Sequence, residues 1–199
     1  MRKKLSLIFL GMLCFFSIHA KKIEGVIVFS DKTANVTFDI PSTALIGFDP
    51  DFAHVQKGVT YYENGDKKKL KPDDAKEIKF TIDGKEIRML STVKDDKDLF
   101  LQIIIDGNLK LFNFHSSQYT GGAPGVGGAP MAGSNISVDN YLFQKGGGDL
   151  MKFKGFSFRK KMVEYLSECP KLCEKIENKE FRSDDLEKIV NYYNSNCGK

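Results

Sequence analysis

Histidine is scarce in this chain, charge is nearly balanced, and no long apolar run occurs beyond the N-terminus. Each shortage removes a class of function. After residue 20 the only histidines are His54 and His115, and neither an HExxH nor a paired CxxC motif is present. A metal centre therefore lacks ligands at any recurring spacing, and no metal or cofactor is expected. There is no GxSxG elbow, and no Gly-rich loop is followed by Lys-Ser/Thr and a helix, which excludes the usual serine hydrolase and nucleotide-binding signatures. The 30 Lys and Arg residues against 26 Asp and Glu give +4 over 199 residues. Arg2, Lys3 and Lys4 lie in a segment expected to be removed, leaving 27 against 26. A chain this close to neutral has no global electrostatic drive toward nucleic acid. The strongest internal apolar run, Leu99 to Ile105, is short and ends at Asp106, so no transmembrane span is expected.

The N-terminus has what the rest lacks. Arg2-Lys3-Lys4 precedes an uncharged apolar stretch from Leu5 to Ile18, and small Ala20 comes before Lys21-Lys22. This is the pattern of a cleavable signal peptide over residues 1–20, with the cut between Ala20 and Lys21. Cys14 follows Leu13 rather than a small residue, which disfavours a lipoprotein anchor and leaves Cys14 an ordinary member of the apolar segment. The mature chain is expected to be secreted or periplasmic, and soluble or peripherally attached to a membrane.

Export leaves Cys169, Cys173 and Cys197, which in an oxidising compartment implies one disulfide and one free thiol. A bridge within one helical turn is awkward, whereas Cys169 or Cys173 reaches Cys197 if the intervening helices fold back. We pair Cys169 with Cys197 and read Cys173 as a buried apolar thiol rather than a nucleophile.

Residues 21–155 read as an antiparallel β domain. Ile23–Phe29 and Ala34–Ile40 flank Ser30–Thr33. Glu77–Ile82 and Lys85–Leu90 are joined by Asp83-Gly84, a pair suited to a type I′ turn. Leu99–Ile105 and Asn108–Phe114 form a third hairpin about Asp106-Gly107, in which alternating Leu109 and Leu111 imply one solvated face. A fourth pairs Tyr141–Gln144 with Leu150–Phe153 across Gly146–Asp149. Successive hairpins argue for a β-meander closed as a small barrel or paired as a sandwich. Residues 156–199 change to a helical period. Ser157 caps a helix carrying Phe158, Met162, Tyr165, Leu166 and Cys169, and Pro170 ends it or opens a second with Leu172 and Ile176. Ser183 caps a third with Leu186, Ile189, Val190 and Tyr193 on one stripe. The expected class is α+β, a β-meander followed by a helical module packed on it.

Leu166-Ser167-Glu168-Cys169-Pro170, Leu172 and Ile176, and then Ile189-Val190-Asn191-Tyr192-Tyr193-Asn194 before Cys197 resemble the tail of an uncharacterised family of small exported Bacteroidetes (flavobacterial-type) proteins. Gly25–Val28, Leu109–Phe112 and Tyr141–Lys145 are similar to the same group in order and spacing. The resemblance supports the Cys169–Cys197 bridge and a Gram-negative envelope or secreted location, and it brings no catalytic residues. The Gly-rich stretch and Cys173 depart from the family pattern.

That stretch, within Ser116 to Val138, has no charge and repeats Gly-Gly-Ala-Pro at Gly121-Gly122 and Gly127-Gly128. With Val126, Met131 and Ile136 its only large apolar residues, it reads as a flexible loop over 119–135, and as the candidate interaction loop through Gly121, Gly122, Gly127, Gly128 and Met131. Asp95-Asp96 and Asp98 alternate with lysines and read as a solvated turn rather than a calcium loop. Lys67-Lys68-Lys69 beside Asn64-Gly65 reads as a solvated loop. The function expected is a non-catalytic envelope or secreted protein binding a protein or a glycan. The alternative is a secreted hydrolase whose site is assembled from distant residues.

Overall fold

A computed structural model of the chain describes residues 20–44, 47–120 and 134–198. The leader and the interaction-loop residues Gly121, Gly122, Gly127, Gly128 and Met131 lie outside them.

Ala20–Val28 (β1) and Thr33–Pro41 (β2) pair antiparallel from Ala20↔Pro41 to Val28↔Thr33. Cleavage after Ala20 would leave Lys21–Val28 in the strand. The alternation in β2 puts Val36, Phe38 and Ile40 on the face where β1 presents Ile23, Gly25 and Ile27. Gly25 matters by what it omits. A Cβ there would lie 2.3 Å from the Lys79 carbonyl oxygen and 2.7 Å from the Phe38 ring. Its absence lets Phe38 meet Phe80 edge to face, with centroids 5.6 Å apart. Gly25→Ala is expected to destabilise by about 1–3 kcal/mol through overpacking, read as a lower urea midpoint. An unchanged midpoint would show that the strands yield freely.

The four-residue helix Phe52–Val55 (α1) leads into Val59–Glu63 (β3) and Asp66–Leu70 (β4). Asn64 and Gly65 both take positive φ, 53° and 90°, so the Lys67–Lys69 segment read as a loop is instead the outer arm of a tight hairpin. Its exposed lysines blunt the sheet edge against further pairing. Glu77–Ile82 (β5) and Lys85–Lys94 (β6) turn at Asp83-Gly84 as expected, with φ of 50° and 77°. Asp95 and Asp96, also at positive φ, form the tight turn into Lys97–Ile105 (β7). Leu109–Thr120 (β8) and Ser134–Lys145 (β9) form the longest hairpin, paired through to Thr120↔Ser134. Both strands thus extend into the stretch read as loop. The fourth expected hairpin reduces to a single bridge, Phe143↔Met151. Beyond it the chain leaves the edge because Phe153 turns into the helical core, 5.4 Å from Phe143 and 5.1 Å from Tyr165 between ring centroids.

The nine strands among the described residues form one antiparallel sheet, β4-β3-β2-β1-β5-β6-β7-β8-β9, followed by helices, an α+β fold. Among the described residues β4 and β9 remain its edges, and no strand pairing closes it into a barrel. It is nonetheless rolled. With strands about 4.8 Å apart, the five spacings from β2 to β8 would span about 24 Å in a flat sheet. Yet α1 touches both strands, and Phe100 of β7 shares a core with Phe38 of β2. The twist of the sheet wraps it around this first core, and α1 bridges the mouth.

The second core lies where Leu109, Leu111 and Phe143 meet Phe158–Tyr165 (α2), Pro170–Glu177 (α3) and Leu186–Asn196 (α4). Phe112 packs on the opposite face with Leu101, Ile103 and Leu142, so the solvated face expected for this strand is covered. Ser157 makes no side-chain cap, and α4 begins after Asp185 rather than at Ser183. The Asp185 carboxylate instead accepts from the Arg182 backbone N–H, which closes a turn before the helix. Pro170 opens α3, where its missing N–H costs nothing. Cys169 and Cys197 form the disulfide, their Cα atoms 5.7 Å apart. Asn194 fastens α4 to the sheet: its Oδ1 accepts from Leu109 N at 2.8 Å and its Nδ2 donates to Leu109 O at 2.9 Å. Glu168 accepts from both Tyr193 Oη and Lys145 Nζ at 2.7 Å. Burial and this carboxylate push the Tyr193 hydroxyl up to about 12.

Candidate functional site

At the mouth of the roll, β7 and β8 part. Their register runs to Gln102↔Asn113, and two residues further, at Phe100 and His115, Gln56 is inserted between them. Its backbone carbonyl accepts from Phe100 N at 2.9 Å. Its side chain satisfies both backbone groups of His115, accepting from N and donating to O at 2.8 Å each. His115 is buried beneath Phe52, whose ring stacks on the imidazole at 4.9 Å. Nδ1 lies 3.0 Å from the Asp139 carboxylate, and Nε2 lies 2.8 Å from the Gln102 side-chain amide.

Burial drives the His115 pKa below its ordinary value, against the opposing pull of Asp139, which favours the neutral ring. A neutral imidazole has one N–H. Nδ1 faces the Asp139 carboxylate and Nε2 faces Gln102 Oε1, both acceptors, so the single N–H serves one of them and a second proton would serve both. An orienting carboxylate on Nδ1 resembles half of a catalytic constellation. The other half is missing, because Nε2 meets an amide rather than a nucleophile. A depressed histidine pKa contributes stability that is present above the ordinary value of 6.5 and lost as pH falls through it. Stability is therefore expected to decline on acidification below that value. Carboxylates held down by lysines, such as Asp106 hydrogen-bonded to Lys110, respond only below their ordinary 3.8. Urea midpoints measured across this interval should fall less steeply in His115→Gln, and an identical slope would place the titration elsewhere.

Cys173 is far from this chemistry. It is buried in the helical core, its thiol 3.2 Å from the Leu166 carbonyl oxygen and 3.5 Å from that of Val163. Burial first, and then Glu177 and Glu168, raise its pKa and disfavour the thiolate. His54 is exposed on α1. Cys173, His54 and His115 are thus not brought together, and the one carboxylate that meets His115 among the described residues is Asp139. Gln56 and Gln102 were not legible as partners, since the sole signal is their placement by tertiary packing.

A second feature lies on the outer face of the sheet. Lys22, Glu24 and Val26 of β1, Asn35 and Thr37 of β2, Tyr62, Asn64 and Thr81 line an open groove of about 1130 Å³. The strand alternation that buries Ile23, Phe38 and Phe80 turns these polar side chains outward. Lys22 Nζ sits 4.5 Å above the Tyr62 ring and holds it in place. The groove offers amides, hydroxyls and one aromatic ring at strand spacing, beside the charged Lys22 and Glu24. No group of His, Cys, Asp and Glu among the described residues is arranged to hold a metal ion.

Comparison with protein families, with curated proteins and with solved structures finds no match to this chain.

Proposed function

We propose that this is a non-catalytic protein of the Gram-negative envelope or secreted fraction that binds a glycan along the outer groove. The observation that carries the reading is the groove itself, which the uncharged hydrogen-bonding side chains Asn35, Thr37, Asn64 and Thr81 line together with Tyr62, Lys22 and Glu24. Sugars present closely spaced hydroxyls, and amides with hydroxyls at strand spacing match them. The two groups best suited to nucleophilic chemistry are engaged elsewhere, His115 between Asp139 and Gln102 and Cys173 against backbone carbonyls. The proposed address draws on the leader pattern, the family resemblance and the Cys169–Cys197 disulfide. No helix among the described residues is long and apolar enough to cross a membrane.

Binding to envelope polysaccharides, measured by calorimetry, is expected to weaken about tenfold or more in Tyr62→Ala combined with Asn35→Ala. Undiminished binding by that variant, or capture of a protein and no glycan, would overturn the assignment. The interaction expected of Gly121, Gly122, Gly127, Gly128 and Met131 is tested separately by deleting residues 119–134 in the same assay. The competing hydrolase reading is favoured by the His115–Asp139 contact beside a cavity of about 360 Å³ that Lys57, Lys94 and Lys97 also line. Hydrolysis of an ester or glycoside that disappears in His115→Gln would establish it.

A further inference from the structure

Phe156 is fully exposed, whereas Tyr141 and Met151, two other large apolar side chains at the surface, are 37% and 39% exposed. It stands at the rim of a cleft of about 500 Å³ between the start of α2 and the chain after α3, lined also by Phe158, Phe181, Arg159, Lys179 and Arg182. No carboxylate lines the cleft, and among the described residues none of these three cations is ion-paired. Elsewhere lysines do find carboxylates, as Lys145, Lys175 and Lys188 do with Glu168, Glu180 and Asp185. From Leu150 to Val163 the chain carries five basic residues and no acidic one. The lining of the cleft itself is thus positive, and two of the carboxylates near it in the chain, Glu180 and Asp185, are paired with Lys175 and Lys188.

Leaving a large aromatic in water forfeits the free energy its burial would supply, and a neighbouring carboxylate would have neutralised the cations. An apolar knob ringed by unpaired cations matches a surface with an apolar interior and an anionic skin. An acidic protein would need a pocket shaped to receive Phe156, whereas a bilayer needs none. We infer that this face docks the protein on an anionic membrane, Phe156 entering the interface while Arg159, Lys179 and Arg182 hold phosphate-bearing headgroups. These residues are separate from the outer groove, so this inference and the glycan reading stand or fall independently.

The test is sedimentation of the protein, produced through its own leader and with its disulfide formed, with phosphatidylcholine vesicles with or without phosphatidylglycerol. Binding is expected only with phosphatidylglycerol and should fall as salt rises. Phe156→Ala should weaken it by about tenfold, the scale of burying one large apolar side chain. Arg159→Gln, Lys179→Gln and Arg182→Gln should each weaken it by about fivefold. Because Phe156 is exposed, its variant should unfold at the wild-type midpoint, which separates docking from folding. Equal binding to neutral vesicles, or anionic binding unaffected by these variants, overturns the proposal. So does association with polyglutamate or free phosphate in the absence of any vesicle binding.

Discussion

Replacing Gln56 by leucine is expected to lower stability by about 2–6 kcal/mol, since a buried backbone donor and a buried backbone acceptor each lose a partner at about 1–3 kcal/mol. Both groups belong to His115, and both are met by the Gln56 side chain at 2.8 Å. Leucine matches the volume but offers neither a donor nor an acceptor, and the site lies inside the roll away from water. The effect should not be confined to one residue. Gln56 also accepts from Phe100 N, so it joins β7 to β8 where their direct pairing stops. Leucine keeps that backbone carbonyl but loses the side-chain tie to β8, so amide exchange should rise at His115 first, before the remainder of the sheet opens. Gln56→Glu keeps the acceptor but removes the donor, and should also be destabilised. A leucine variant within about 1 kcal/mol of wild type would mean that water replaces the amide.

Reduction of Cys169–Cys197 is expected to cost about 3–4 kcal/mol, the chain-entropy value for a loop of this size. The bridge spans 28 positions and joins the residue before α3 to the residue that ends α4. Without it α4 is held by its apolar stripe and by the Asn194 pair to Leu109. The urea midpoint should fall on adding reductant and in Cys169→Ser with Cys197→Ser, while Cys173→Ser changes it less. Thiol labelling under denaturing conditions should find one free cysteine beyond the leader in the oxidised protein. Three labelled thiols, or a midpoint indifferent to reductant, would remove the staple.

The elements that sequence made legible share a property: their cause is local. Asp83-Gly84 and Asp106-Gly107 mark turns because small or Asx residues tolerate positive φ, and Leu172, Ile176, Ile189, Val190 and Tyr193 mark helix faces because their spacing follows the helical period. Asn64-Gly65 carried the same signal for β3 and β4, but three following lysines masked it as a solvated loop. The ends of β8 and β9 were missed because an uncharged stretch rich in Ser and Gly lacks the alternation by which a half-buried strand declares itself.

The sequence by itself determined three of the antiparallel hairpins, the helical tail and the presence of one disulfide within it; that Cys169 rather than Cys173 pairs with Cys197 was decided by the fold. Each of the three follows from backbone preference, from a period, or from three sulfurs confined to a short tail. Tertiary structure alone decided that the sheet rolls without closing, that Gln56 completes β8, and that His115 is held between Asp139 and Gln102 rather than beside a nucleophile. It also turned one polar face of the hairpins into a groove and left Phe156 outside with its cations. These depend on which distant groups twist and packing bring within about 3 Å of one another, a relation that no local pattern of residues encodes.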